Sequence, residues 1–316
     1  MKVLANDGIA ASGKTALENA GFTVITETVA QENLVEAINE NDYEVLLVRS
    51  ATKVREQLID ACSELKMIGR GGVGMDNIDV EYAKSKGIHV FNTPAASSQS
   101  VAELVMAHLF GAVRNLYDSN RKMPTEGHEN FKVLKKKYAG GIELRGKTIG
   151  IIGFGRIGQS LASYALGCGM QVLAHDMFGE EFNLSLNVAD QEINVHLPNS
   201  SMDTVLGQSD FISLHIPGGD QAVIGAAELA KMKDGVILLN AARGGTIDED
   251  ALLEALNSEK VSHAALDVFV NEPQPRADVL GHKKLSLSPH VGAATKEAQD
   301  RIGTELAEQI IDFYKI

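Results

Sequence analysis

The stretch that most limits the fold is Gly153-Phe154-Gly155-Arg156-Ile157-Gly158. An apolar run at 148–152 leads into it, a helical pattern at 157–166 leads out, and the next apolar run closes at Asp176. A glycine-rich turn alone constrains little. Glycines at these three spacings, between a buried strand and a helix, belong to a parallel βαβ unit.

Each position has a physical task. Gly153 permits the tight turn, Gly155 lets the backbone approach a pyrophosphate, and Gly158 lets the helix pack close to its strand. The helix N-terminus, with Arg156 and Ile157 in its first turn, offers unpaired N–H groups and a positive dipole end to phosphates. Asp176 can accept both hydroxyls of a ribose and would repel a 2′-phosphate. Met177 beside it supplies no basic partner, so NAD is expected rather than NADP.

The rest of the chain has the same grain. Short apolar runs at 3–5, 22–25, 44–48, 66–68 and 88–91 alternate with helical patterns at 31–39, 54–62 and 80–85. A long helical stretch, 98–116, follows, then a polar passage, 117–143, with little periodicity. A second series of strands runs through 147–152, 171–174, 211–215, 236–240 and 263–266, and the chain closes in an amphipathic helix at 296–314. Alternation of this kind predicts parallel sheets covered by helices on both faces. Residues 177–200 fit no helix and are expected to be irregular or short strands.

A net charge of −13 excludes long-range attraction to nucleic acid or an anionic membrane, so an anionic small molecule would need a locally basic pocket. The longest apolar stretch, 104–113, is interrupted by His108 and too short to span a bilayer. Asn6 and Asp7 come too early for a secretion signal, and Cys62 and Cys168 read as reduced thiols. A cytoplasmic protein is expected. The nine histidines are scattered without ligand spacing to acids, so no metal site is expected.

Residues 8–15, GIAASGKT, satisfy the P-loop pattern G-x-x-x-x-G-K-[ST]. A working P-loop also needs an Mg²⁺-binding Asp at a neighbouring strand end, but the following strands end in Arg49-Ser50, Arg70-Gly71 and Asn92-Thr93. The expectation is a helix starting near Ile9 or Ala10, with Lys14 solvated and Gly13 an ordinary interior glycine.

Three stretches after strands of the second series carry reactive groups: Arg243 in NAARGG, Glu272 in DVFVNEP and His290 in SPHVG. Oxidising an alcohol needs a base for the hydroxyl proton, a cation for a carboxylate and a hydride acceptor. Histidine, arginine and NAD suit those tasks. Singly, each residue also reads as a turn cap, a solvated loop acid or a packing histidine.

Taken together, VRSATK (48–53), GRGGVGMDNID (69–79), NTP and VAEL (92–104), GIIGFGRIG (150–158), LHIP (214–217), NAARGGTIDEDAL (240–252), ALDVFVNEP (265–273) and SPHVGAATKEAQ (288–299) resemble the D-2-hydroxyacid dehydrogenase family. The likeness covers nearly the whole chain and is strongest to its phosphoglycerate dehydrogenase members. It implies that Arg243 binds and polarises the substrate, that His290 moves the proton, and that Glu272 pairs with His290. It further implies cofactor contacts at Gly153, Gly155, Arg156, Ile157, Gly158, Asp176, His215, Pro217, Ala241 and Asp267, with Asp267 at the nicotinamide. Backbone N–H groups of Val73 and Gly74 would hold the substrate carboxylate.

By the same resemblance the chain forms two doubly wound α/β domains. A Rossmann NAD-binding domain, 97–284, is inserted in a flavodoxin-like substrate domain, 1–96 plus 285–316. A homodimer through the cofactor domain is implied, and so is closure between the two domains. Arg49, Ser50, Thr52 and Lys53 follow one strand of the substrate domain and Arg70 another; the arginines and the lysine supply the local positive charge a phosphate tail requires. The leading expectation is NAD-dependent oxidation of 3-phospho-D-glycerate to 3-phosphohydroxypyruvate, in serine biosynthesis. The alternatives are reduction of glyoxylate, hydroxypyruvate or a related 2-oxo acid, and an NAD-sensing scaffold like the corepressors that resemble this family. Two departures stand out: Ala242 replaces a frequent cysteine, and 218–221 lacks a frequent threonine. The chain stops at Ile316, so C-terminal regulatory domains are not expected.

Overall fold

The computed structural model describes residues 1–315, which form two compact units, Met1–Ser98 with Ala293–Ile316 and Gln99–Gly292. In the first unit the apolar runs become β1 (Lys2–Ala5), β2 (Thr23–Ile25), β3 (Val45–Val48), β4 (Met67–Arg70) and β5 (His89–Asn92). Between them lie α1 (Ala11–Asn19), α2 (Leu34–Asn41), α3 (Glu56–Ala61) and α4 (Val80–Ser85). All strand pairs are parallel, in the order β2-β1-β3-β4-β5. That is the flavodoxin-like order, and its central strand β3 is apolar throughout because both of its faces are covered.

The second unit begins within α5 (Ser98–Val113) and α6 (Leu116–Lys137). It continues as β6 (Thr148–Ile152), α7 (Arg156–Gly167), β7 (Gln171–His175), β8 (Glu181–Val188), β9 (Gln191–Pro198), α8 (Met202–Gln208) and β10 (Phe211–Leu214). Then follow α9 (Ala226–Lys231), β11 (Val236–Asn240), α10 (Glu249–Asn257), β12 (Val261–Leu266), α11 (Ala277–Leu280) and β13 (Leu285–Leu287). The parallel order is β13-β12-β11-β10-β6-β7, so chain order reverses between β6 and β10. At such a switch point the loops beyond the strand ends splay apart and leave a crevice for a ligand. The last helix, α12 (Lys296–Tyr314), belongs to the first unit.

The structure adds detail that the sequence pattern does not carry. The chain leaves the second unit at Gly292, not at residue 284. Leu285–Leu287 pairs in parallel with β12, and Leu285 is buried in the second unit's core. Residues 181–198 form a regular antiparallel hairpin, with Phe182, Leu184, Leu186, Val195 and Leu197 packed on the core beneath the sheet. The polar passage after Asn115 is helical, with a break at Asn130, and among its residues only Gly127 and Leu134 are buried.

The P-loop-like stretch is an ordinary βα connection with an unusual glycine. α1 starts at Ala11, and Lys14 lies at the surface 3.8 Å from Glu18. Gly13 is not an ordinary interior glycine: a Cβ there would lie 2.3 Å from the carbonyl oxygen of Gly303 on α12. The two helices touch backbone to backbone, which only glycine permits. Gly13→Ala is therefore expected to destabilise the protein by about 1–3 kcal/mol, the usual range for overpacking. An unchanged denaturant midpoint would contradict that contact.

Candidate active site

The glycine turn meets the requirements of its motif one residue at a time. Gly153 has φ +91°, and a Cβ on it would lie 2.4 Å from the His215 carbonyl oxygen. A Cβ on Gly158 would lie 2.3 Å from the Gly153 carbonyl oxygen. Gly155 faces open space: beyond its chain neighbours, no atom of the described residues lies within 4 Å of where its Cβ would stand. Two glycines are thus demanded by the protein's own packing, while the third leaves its backbone open to a ligand. Asp176 folds back, accepting from Phe154 N at 2.7 Å and from Phe178 N at 3.0 Å, so its carboxylate borders the turn. Met177 and Phe178 beside it are exposed and uncharged.

The other expected cofactor residues follow the neighbouring strands: His215 and Pro217 after β10, Ala241 after β11 and Asp267 after β12. Part of His215 reaches solvent, but its Nδ1 is sealed without a hydrogen-bond partner among the described residues, while Nε2 bonds Ser213 Oγ at 2.8 Å. Burial pushes its pKa down to about 4. The glycine cradle, the helix N-terminus and the carboxylate bordering the turn together fit NAD.

Arg243 sits on a turn that Asn240 folds. The Asn240 side chain accepts from Ala242 N at 3.0 Å and donates to the Arg243 carbonyl at 3.0 Å and Thr246 Oγ1 at 2.9 Å. Arg243 Nη1 donates to the Ala242 carbonyl at 2.6 Å. Gly244 is obligatory, since a Cβ there would lie 2.0 Å from the Phe269 carbonyl oxygen. The arginine turn is thereby pressed against the segment leading to Glu272.

His290 Nδ1 and Glu272 Oε2 are 2.7 Å apart, and Phe269 N donates to Glu272 Oε1 at 2.8 Å. The backbone fixes one carboxylate oxygen, and the other orients the imidazole. His290 has φ +54°, a left-handed conformation that side chains other than glycine rarely adopt. Asp267 holds it there. Its Oδ1 accepts from Ser288 Oγ at 2.6 Å and Val291 N at 2.9 Å, its Oδ2 from Gly292 N at 2.8 Å, and its carbonyl from His290 N at 2.8 Å. The resemblance gives Asp267 to the nicotinamide; here both carboxylate oxygens bind within the turn and the residue is 2% exposed. An apolar cavity of about 450 Å³ lined by Phe269, Pro273, Leu280, Leu287 and Pro289 adjoins the pair.

The expected substrate residues Arg49, Ser50, Arg70, Val73 and Gly74 lie in the first unit, after β3 and β4. Among the described residues, no hydrogen bond engages the N–H of Val73 or Gly74, while Asn92 Nδ2 holds the Val73 carbonyl at 2.6 Å. Arg70 lies over the Gly72 backbone. Thr52 is buried and bonded to Asp7 Oδ1 at 2.6 Å, so it serves the fold. Asn240 and Ser288 also shape the site and were not singled out from the sequence; the only signal was their place at the ends of β11 and β13.

The profile of the D-isomer specific 2-hydroxyacid dehydrogenase NAD binding domain matches residues 106–292. The chain belongs to the D-isomer specific 2-hydroxyacid dehydrogenase family. Its cofactor is NAD. Among relatives, it is 46% identical to the hydroxypyruvate reductase of Thermotoga maritima, over 91% of this chain and 89% of that one. It is 41% identical to the D-3-phosphoglycerate dehydrogenase of Methanocaldococcus jannaschii, covering 98% of this chain but 57% of the longer relative. A glyoxylate reductase structure from Paecilomyes thermophila is 30% identical with a TM-score of 0.82, covering 98% of this chain and 93% of that one. Among the described residues no His/Cys/Asp/Glu cluster suits a metal, and no helix is long and apolar enough to cross a membrane.

Burial lowers the pKa values of His108, His215 and His263, the last with help from Lys284. An unfolded chain titrates these rings near 6.5, so below that pH it binds more protons than the folded protein. The stability they contribute is complete above about pH 6.5 and is lost as pH falls toward 4. The urea midpoint is expected to be lower at pH 5.5 than at pH 7.5; an equal or higher midpoint would refute the buried neutral rings.

Proposed function

We propose that this chain oxidises 3-phospho-D-glycerate to 3-phosphohydroxypyruvate, the reaction that leads into serine synthesis. The Gly153–Gly158 turn and Asp176 would hold NAD, which would supply the acceptor for the hydride at C2. His290 takes the hydroxyl proton at Nε2, since Nδ1 faces Glu272, and the Glu272 carboxylate stabilises the imidazolium that results. Arg243 presents a planar cationic fork to the substrate carboxylate and to the oxygen that becomes the carbonyl. The N–H groups of Val73 and Gly74 serve the carboxylate.

Arg49 carries the choice of substrate. Its guanidinium makes no hydrogen bond or ion pair among the described residues. It borders a cavity of about 270 Å³ lined also by Gly8, Ile9, Ala10, Gly71 and Gln299. In a protein of net charge −13, an uncommitted guanidinium beside such a cavity supports an anionic tail on the substrate. Arg70, at the end of the adjacent strand, adds a second positive charge. The second reading is reduction of hydroxypyruvate or glyoxylate. It is favoured by the negative charge of Asp7, a residue lining the same cavity, and by the 46% identity to a hydroxypyruvate reductase. A homodimer belongs to the same proposal, supported by exposed Phe110, Leu116, Met123, Phe131 and Val133 on α5 and α6.

Steady-state kinetics with 3-phospho-D-glycerate and D-glycerate, and in reverse with hydroxypyruvate and glyoxylate, test the choice. The phosphorylated acid is expected to have the higher kcat/KM. Arg49→Ala is expected to lose roughly tenfold or more on it alone, as for a lost hydrogen bond to a charged group. Equal losses on both acids would reject Arg49 as the phosphate reader. His290→Ala is expected to lower kcat by roughly 10²–10⁴ with NAD binding retained. NAD binding without turnover of any of these acids by the unaltered protein would point to a sensing scaffold instead.

A further inference from the structure

One buried titratable group near the site has no part in the steps above. His108 lies on α5, where it interrupts an otherwise apolar stretch. Its ring bridges two serines of the strand and turn leading to His290: Nδ1 is 2.8 Å from Ser286 Oγ, and Nε2 is 2.9 Å from Ser288 Oγ.

Hydrogen-bond counting fixes the direction of every proton in this chain. The Ser288 hydroxyl has one proton, and it goes to Asp267 Oδ1 at 2.6 Å, because a carboxylate only accepts. Ser288 Oγ must then accept from His108, so Nε2 carries the hydrogen. Burial lowers the pKa of this ring, with Asp267 opposing more weakly, so the ring is neutral. A neutral ring protonated on Nε2 has a bare Nδ1, which accepts from the Ser286 hydroxyl. With a neutral ring, this arrangement gives each of these polar atoms a partner.

The far end of this chain is the turn that carries the proton acceptor. Asp267 spends its carboxylate on Ser288, Val291 N and Gly292 N, and its carbonyl on His290 N. The turn thus holds His290 at a left-handed φ of +54°. Such a conformation persists only where its surroundings over-determine it. If Ser288 rotates, Asp267 loses one of its donors and the turn loses a constraint on the strained residue itself.

We infer that His108 is a positioning residue of the proton-transfer site, holding the Ser288 hydroxyl on Asp267 and, through that carboxylate, the His290 imidazole against Glu272. The inference rests on the reading of His290 as the proton acceptor. His108 touches neither substrate nor cofactor in this role; it acts through two intervening side chains.

The test compares the unaltered enzyme with His108→Leu, His108→Gln, Ser288→Ala and the His108→Leu/Ser288→Ala double variant. NAD and whichever of 3-phospho-D-glycerate or D-glycerate the enzyme turns over are the substrates. His108→Leu is expected to lower kcat by roughly 10- to 100-fold, the scale set by small misplacement of a reacting group. NAD affinity by fluorescence titration should stay within about twofold, and the acidic limb of the kcat/KM–pH profile should move. His108→Gln can donate to Ser288 and accept from Ser286, and is expected to recover part of the loss. Ser288→Ala, outside the helix core, should give the same loss and the same shift in profile. The double variant should be no worse than either single one, because all three break one chain.

A purely structural role predicts lower melting temperature and less active protein, with an unmoved pH profile. That result overturns the inference, as does a kcat for His108→Leu within twofold of the unaltered enzyme. Losses that multiply in the double variant overturn it too. If His108→Leu does not fold, His108→Gln and Ser288→Ala carry the test, and an unmoved pH profile in both rejects it. Retained turnover by His290→Ala would instead remove the reading beneath it, an outcome distinguishable because it does not depend on His108.

Discussion

The carboxylate of Asp267 sits at the end of a parallel strand with 2% of the residue exposed. Burying a charge there is costly unless strong hydrogen bonds replace water. Ser288, Val291 and Gly292 supply them, and in doing so wrap the chain around His290. The energy that offsets desolvation of one carboxylate is therefore the same energy that shapes the turn. An isolated histidine on a flexible loop could sample many directions; this one is fixed from both flanks and from its own N–H. Glu272 then faces an imidazole whose position is already decided.

The remaining groups depend on backbone approaches that admit no side chain. Gly153 and Gly158 bring β6, α7 and the end of β10 close enough to form the cofactor cradle, and Gly244 brings the Arg243 turn onto Phe269. Each puts a chemically active loop at the carboxyl end of a strand, where side chains and N–H groups converge on the crevice beside the switch point. Rigid contacts between backbones make the placement precise, at the cost of tolerating no Cβ. The same device, used at Gly13 and Gly303, joins two helices of the first unit and has nothing to do with a nucleotide.

Much of this was legible in the sequence because buried parallel strands are written as unbroken apolar runs. The glycine motif, its flanking strand and helix, and Asp176 needed only local reading, and so did the final helix. The hairpin at 181–198 also carried its signal, with Phe182, Leu184 and Leu186 alternating with polar residues. Its turn at Ala189 and Asp190 lacks glycine, and that hid it. The helix over 116–137 was hard to read because Pro124 and Gly127 lie inside it and Asn130 breaks it. His108 and its serines could not be paired by any local rule, since 178 and 180 residues separate them. Gly13 looked ordinary for the same reason: its partner, Gly303, stands near the opposite end of the chain.

To act as the proposed proton acceptor, His290 must be presented by Glu272 and the Asp267 turn with Nδ1 protonated and Nε2 bare. ¹⁵N NMR of the His290 imidazole, assigned by comparison with His290→Ala, measures that directly. At a pH where the ring is neutral, the expected result is the Nδ1–H tautomer, with its hydrogen toward Glu272. A neutral ring carrying its hydrogen on Nε2 would have no base to offer a substrate hydroxyl and would contradict it.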